Sequence, residues 1–330
     1  AGIGWSRLTE AAANQALGLV LDDALDGDGA VREPFRALEY PLLDLAGQLA
    51  GKPVYAMLGG EPGQDGAYRV PCYDTSLYMD DLDLQDDEAA AARIAAEAVE
   101  GHARGHRAFK IKVGRGAMHM PLEAGTRRDI RVIRAVRDAV GPDARIMIDA
   151  NNGYNLNLTR RVLSETADVG VYWVEEAFHE DLRLYKALKS WFDEEGLETL
   201  IADGEGSASP YLLEWAAEGA VDVIQYDVLR PGFGRWLELG PQLDAAGVHS
   251  APHHYGEPYG NYAACHLAAA IERFEGVEWD EASVPGLDAS AYTIAEGMVH
   301  VPALPGFGLA LDERTYAAAV RAHGFAVQVE

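Results

Sequence analysis

From Arg69 onward, short apolar runs alternate with longer stretches of helical periodicity. Strand-like runs fall near 69–74, 108–113, 145–150, 171–176, 199–204, 222–228, 248–253 and 276–281. Helical patterns lie between them, over 88–104, 126–140, 157–167, 181–195, 209–218, 234–246 and 260–272. Eight strands alternating with helices predict an α/β fold with a parallel sheet closed as a (β/α) barrel; an open doubly wound sheet is the alternative. No glycine-rich phosphate fingerprint follows a strand, since Val113-Gly114-Arg115-Gly116 is too short to count. Upstream, 6–25 and 31–51 read as helices, and Leu58-Gly59-Gly60-Glu61-Pro62-Gly63 reads as a loop. The tail beginning Val301-Pro302-Ala303-Leu304-Pro305-Gly306 is long enough to return to the N-terminal helices. This predicts a small capping domain built from both ends of the chain: 1–66 as its N-terminal part, 67–298 as the barrel and 299–330 as the return.

Several strands end on charge. Ile146-Met147-Ile148-Asp149, Tyr172-Trp173-Val174-Glu175 and Ile201-Ala202-Asp203-Gly204-Glu205 each close an apolar run with a carboxylate. Such carboxylates are poorly placed for core packing and well placed for a site at one rim of a barrel. Three crowded carboxylates repel unless a cation sits among them, and oxygen-only ligands favour a hard ion such as Mg²⁺. Asp203 shares a face with Glu205 and is an alternative ligand; Glu175 and Glu176 point to opposite faces, so only one can join.

Lys110 and Lys112 point the same way and Ile111 the other. Two adjacent ammonium groups lower each other's pKa, which is one route to a lysine base; the alternative is a pair of rim lysines that neutralise acidic neighbours. Asn151 shares the Asp149 face and can reach a substrate oxygen. Asp227 ends the sixth run and His253-His254 the seventh. An aspartate on one ring nitrogen sets the tautomer of a histidine and raises the basicity of the other nitrogen, although either histidine alone also serves as a structural hydrogen-bond donor. Glu278 lies on the eighth run.

Composition narrows the function. The net charge of −26 argues against nucleic acid and anionic membranes as partners. No apolar run reaches the roughly 18 residues of a membrane span. Two cysteines, Cys72 and Cys265, offer no Cys/His metal spacing and fit a reducing cytoplasm. The start, Ala1-Gly2-Ile3-Gly4-Trp5, has neither signal-peptide features nor an initiator Met, so a leading segment is expected to be missing.

The order Lys-x-Lys, Asp, Glu, Glu, Asp, His, Glu on successive strands resembles the enolase superfamily, specifically its mandelate racemase-like branch. The match runs from Arg69 to Glu281, and Pro302 to Leu311 looks like the family's C-terminal return. The resemblance implies a modified TIM barrel of (β/α)7β type with a small α+β capping domain. It implies Mg²⁺ held by Asp149, Glu175 and Glu205. Lys112 would be one general base, Lys110 would polarise the substrate carboxylate, and Asp227–His253 would be the opposing acid/base. Glu278, protonated, would donate a hydrogen bond to the enolate oxygen; Asn151, His254 and Arg230 would touch the substrate. Ala177 stands where the family often has Pro, and Pro231-Gly232-Phe233 replaces its usual glycine pair. Distal substrate hydroxyls would be read from the N-terminal domain and from Arg115 to Met120.

Such a site abstracts the α-proton of a carboxylate, with dehydration of an acid sugar to a 2-keto-3-deoxy acid as the expected outcome. Racemisation or epimerisation is the alternative, and a non-catalytic sugar-acid binding protein the next. A Schiff-base aldolase fits poorly beside three carboxylates. The resemblance also implies a homo-oligomer.

Overall fold

A computed structural model describes residues 10–18, 20–26, 29–229, 232–255, 257–284 and 286–323. Eight parallel strands form its centre: β1 (Tyr68–Leu77), β2 (Ala108–Lys112), β3 (Arg145–Asp149), β4 (Val171–Glu175), β5 (Leu200–Asp203), β6 (Val223–Ile224), β7 (His249–Ser250) and β8 (Val277–Trp279). Neighbours pair in sequence order from β1 to β7, and β8 pairs with β1 in parallel through Cys72–Val277, Tyr73–Glu278 and Asp74–Trp279. A parallel bridge between Ser250 and Phe274, just ahead of β8, closes the ring. The predicted barrel is therefore present, and the open sheet is excluded.

Alternation decides what each strand buries. Phe109, Ile111, Ile146, Ile148, Val174, Ile201 and Ile224 face the surrounding helices. Tyr73, Met147, Trp173, Ala202, Val223 and Ala251 pack into a separate layer inside the ring. A one-residue slip would exchange these two sets, and each large apolar side chain moved to a wet face costs about 1.5–3 kcal/mol. The same alternation carries Lys110, Lys112, Asp149 and Glu175 inward, one step nearer the strand ends.

Among the described residues, the strands are connected by helices Asp87–Arg104, Leu122–Val140, Leu156–Glu165, Leu182–Glu195, Leu212–Ala217, Phe233–Ala246 and Tyr259–Leu267, with a short one at Arg115–Met118 after β2. Three begin on a side-chain cap, from Asp86, Asn155 and Asp181, whose oxygens satisfy amides of the first turn. The second of these helical patterns was expected from 126; it starts at Leu122, directly after Pro121. The last was expected to reach 272; it ends at Leu267 and passes into a 3-10 turn.

The N-terminal region differs more from expectation. The helix predicted over 6–25 is interrupted, because Gly18 takes a left-handed φ of 77° and Leu21–Ala24 is a separate turn; residues 6–9 lie outside the described residues. The helix predicted over 31–51 begins only at Glu39, after Pro34 and a 3-10 turn at Phe35–Leu38, and runs to Ala50. Glu39 then serves another element: its carboxylate accepts the amides of Phe233 and Gly234 at 2.9 Å, capping the Phe233–Ala246 helix. Beyond β8, strands β9 (Leu287–Asp288), β10 (Thr293–Ala295), β11 (Met298–Val301) and β12 (Ala310–Leu311) follow. β11 pairs antiparallel with the start of β1, and Phe307 donates its amide to Asp44 Oδ1 at 2.9 Å, joining the tail to the Glu39–Ala50 helix.

Candidate active site

Asp149, Glu175 and Glu205 converge at the C-terminal ends of β3 and β4 and just beyond β5, each offering an oxygen within 4.8 Å of the others. Asp149 and Glu175 are opposite each other in the β3–β4 register, and Lys112 is opposite Asp149 in the β2–β3 register. Asp203 is not part of the cluster. It receives a hydrogen bond from Tyr185 Oη at 2.6 Å and faces the helix side. The cause is Gly204, whose φ of 131° breaks the alternation and turns Glu205 inward instead. Burial pushes Asp203 up to about 8.

Lysines thread the cluster. Lys110, 1% exposed, donates to Glu175 Oε1 at 2.6 Å and to Glu278 Oε1 at 2.7 Å, and lies 3.6 Å from Asp149 Oδ2. Lys112 pairs with Asp149 Oδ2. The two lysines were expected to depress each other. Burial does push both downward, and Lys110 opposes charge on Lys112, but the facing carboxylates outweigh these effects and both lysines are raised. Glu278 is a second correction. Its carboxyl was expected to be protonated. Burial favours that, yet Lys110 and then His253 and His254 hold it well below the ordinary value. Its oxygens accept from Lys110, from Thr75 Oγ1 at 3.0 Å and from the His254 amide at 2.9 Å, so it is an acceptor here.

The opposing wall carries His253. Its Nδ1 meets Asp227 Oδ1 at 2.5 Å, and its Nε2 lies 3.1 Å from Glu205 Oε2 and 3.8 Å from Glu278 Oε2. Burial lowers the imidazole pKa. The Asp227 hydrogen bond and the charges of Glu278 and Glu205 outweigh it and lift the group to about 9. His253 is therefore charged at neutral pH.

Other expected substrate contacts fare differently. Asn151 reaches the cluster: its amide nitrogen donates to Glu176 Oε2 at 3.1 Å and to Glu205 Oε1 at 3.5 Å. His254 contributes its backbone to Glu278, while its ring, 2% exposed, is wedged against Gly260 so closely that a Cβ there would come within 2.3 Å. Burial lowers its pKa. Arg230 lies outside the described residues. Arg115, expected near the distal hydroxyls, is fully buried, paired with Asp81 Oδ1 at 2.6 Å and Asp129 Oδ1 at 2.8 Å. A buried guanidinium needs such partners, and they leave it no free donor face for substrate.

Gln225, Trp173 and Tyr255 were missed. Gln225 Nε2 donates to Glu175 Oε2 at 2.8 Å and Trp173 Nε1 to the same oxygen at 3.2 Å. Both share the inward face of a named residue two positions on, which is the signal that could have found them. The Tyr255 ring stands 5.8 Å from Lys112 Nζ.

The donor set fits a hard cation. All three cluster residues supply carboxylate oxygen, the donor a hard cation takes, and these oxygens lie within 4.8 Å of one another. Glu205 Oε2 is buried and accepts no hydrogen bond, even with His253 nearby. Burial, with the neighbouring carboxylates, pushes Glu175 up to about 8 and Glu205 up to about 7, the mark of a cluster short of positive charge.

A parallel barrel with a carboxylate cluster at the strand ends, flanked by lysine and histidine, defines a proton-abstracting, cation-dependent class of site. Residues 93–315 match the family model described as enolase C-terminal domain-like. The chain is 30% identical over 291 residues to the D-galactarolactone cycloisomerase of Agrobacterium fabrum, covering 83% of this chain and 70% of that protein. It is similar in structure to a galacturonate dehydratase from Geobacillus sp. complexed with D-galacturonate and 5-keto-4-deoxy-D-galacturonate, with TM-score 0.89 and 52% identity, covering 94% of this chain and 82% of that one. A mutant of that dehydratase complexed with Mg gives TM-score 0.91 at 52% identity, over 95% and 82% of the two chains. The chain belongs to the enolase superfamily, in its mandelate racemase-like branch.

Proposed function

We propose that this protein is a Mg²⁺-dependent dehydratase of an acid sugar, and that its substrate is a hexuronate such as D-galacturonate. The observation that carries the reading is the placing of Lys112 and the Asp227-paired His253 on opposite walls of the Asp149–Glu175–Glu205 cluster. Those three carboxylates would hold the ion, which when bound supplies a Lewis acid for the substrate carboxylate and the negative charge that grows on it. Asp149, once engaged with the ion, would no longer hold Lys112 charged; Lys112 would then give its own proton to solvent and, as a neutral amine, take the proton from the carbon next to the carboxylate. Lys110 keeps a positive charge beside that carboxylate and keeps Glu278 ionised. His253, charged through Asp227, gives its Nε2 proton to the hydroxyl leaving from the next carbon. Asn151 contacts the substrate beside the cluster.

Counted from the carboxyl carbon, the 5-keto-4-deoxy product bound by the Geobacillus sp. neighbour carries its ketone on the first carbon and its deoxy position on the second. That is the pattern of 2-keto-3-deoxy acids, so one chemistry serves both ends of a sugar acid. Epimerisation uses the same two walls but returns the proton to carbon; the 52% identity to a neighbour named a galacturonate dehydratase favours loss of hydroxide.

We extend the proposal to a cap formed by 1–66 with 299–330 over a 67–298 barrel, supported by the Asp44–Phe307 contact. It further includes a cytoplasmic homo-oligomer, for which the unpaired Cys72 and Cys265 support the reducing compartment. Among the described residues no helix is long and apolar enough to cross a membrane. A panel of aldonates and uronates incubated with enzyme and Mg²⁺, then treated with semicarbazide, tests the reading. The expected result is 2-keto acid from a hexuronate; a panel without 2-keto acid would count against it.

A further inference from the structure

Among the described residues, four non-glycine positions have positive φ, and three of them meet beside the carboxylate cluster: Asn151 at 42°, Asn152 at 62° and Glu176 at 41°. Left-handed backbone is disfavoured for residues with a Cβ, and it persists where the surroundings over-determine it. Here the three residues hold one another. Glu176 Oε1 accepts from Asn152 Nδ2 at 2.8 Å and Glu176 Oε2 from Asn151 Nδ2 at 3.1 Å. The Glu176 carbonyl accepts the Asn152 amide at 2.7 Å.

Asn151 carries this linkage into the cluster. Its backbone N–H donates to Asp149 Oδ1 at 2.9 Å, and its Nδ2 also reaches Glu205 Oε1 at 3.5 Å. With carboxylate acceptors on both sides, the Asn151 amide can present only its nitrogen to them, and its oxygen stays available as an acceptor. Glu176 holds this arrangement without belonging to the cluster, which Glu175 enters instead.

We propose that Glu176 is a positioning residue of the metal centre: its carboxylate clamps Asn151 and Asn152, and through Asn151 it sets where the Asp149 and Glu205 oxygens stand. The inference rests on the metal-dependent reading above and adds which side chain outside the ligand set orients it. Partners of this kind typically contribute roughly 10–100-fold in metal affinity.

The test is Mg²⁺ titration calorimetry on the full chain after removal of divalent ions. Glu176→Gln replaces one acceptor with a donor and can satisfy only one asparagine amide, so Mg²⁺ binding should weaken about 10-fold. Asn151→Gly keeps a backbone that accepts positive φ while cutting the clamp, and should weaken binding to a similar degree. The double variant should lose little more than either single one, because both remove the same linkage, whereas two independent structural losses would multiply. Unchanged affinity in the single variants, or multiplied losses in the double, would overturn the clamp. Should Glu176→Gln not fold, Asn151→Gly and Asn152→Gly carry the comparison alone. Failure of the unaltered chain to bind Mg²⁺ would overturn the metal reading itself and is told apart by that control.

Discussion

Replacing Lys110 with methionine separates the electrostatics of the site from its packing. Lys110 is 1% exposed and its ammonium holds Glu175 at 2.6 Å and Glu278 at 2.7 Å. Methionine fills a comparable volume, so the loss is one of charge. Removing one partner of a buried ion pair typically destabilises by about 3–5 kcal/mol, because the remaining charge stays buried. Part of the site is cushioned: Glu278 keeps Thr75 Oγ1 and the His254 amide, and Glu175 keeps Gln225 and Trp173. The lower half of that range, about 3–4 kcal/mol, is therefore expected without divalent ions, or about 4–6 °C in melting temperature for a chain of this size.

Mg²⁺ should reverse more of this loss than its ordinary effect. For the unaltered chain, a concentration 100 times the dissociation constant stabilises by about 2.7 kcal/mol. Lys110→Met removes a cation that competes for Glu175 and lies 3.6 Å from Asp149, so Mg²⁺ should stabilise the variant more than the parent. Thermal melts with EDTA and with Mg²⁺, on both proteins, make the comparison. A variant that melts with the parent in EDTA, or that gains no more from Mg²⁺ than the parent, would refute the reasoning.

Other outcomes follow from the same geometry. Lys112→Ala and His253→Asn should each lower kcat by at least about 10²-fold, with Mg²⁺ binding by calorimetry retained. Glu205→Gln should weaken Mg²⁺ binding while Asp203→Asn should not, since Asp203 is held by Tyr185 on the helix side; the reverse in calorimetry would move the ligand role. His253 is raised to about 9, so its acidic form is present below that pH and lost above it; Asp227→Asn removes a raising partner and should shift the alkaline limb of the kcat profile to lower pH. Arg115→Met strands Asp81 and Asp129 and should cost about 3–5 kcal/mol in urea unfolding.

The barrel was legible because alternation leaves a strong mark. Ile146 and Ile148 face the helices while Met147 and Asp149 face inward, and the same beat recurs strand after strand. The cluster was legible for the same reason, since the residue types at the strand ends make no sense in a core. Three features were not. The Asp203–Glu205 choice turned on Gly204, whose φ breaks the alternation on which the reading relied. The charge on Glu278 depends on Lys110, which only the closed ring brings within 2.7 Å. Arg115 reads as a contact for distal substrate hydroxyls, near Lys112, until Asp81 and Asp129 close over it from other elements. The N-terminal helices misled because apolar periodicity does not show where Gly18 and Pro34 interrupt it.

The central claim is dehydration under the joint control of a divalent ion, Lys112 and His253. Proton NMR of D-galacturonate in D₂O with enzyme and Mg²⁺ tests it most directly, because one spectrum reports both bonds. The account predicts loss of the C5 proton signal with growth of the C4 resonance of a 4-deoxy-5-keto acid, only when Mg²⁺ is present. Exchange or inversion at C5 with the C4 hydroxyl retained would contradict it and establish an epimerase, and an unchanged spectrum with Mg²⁺ bound would contradict the hexuronate assignment.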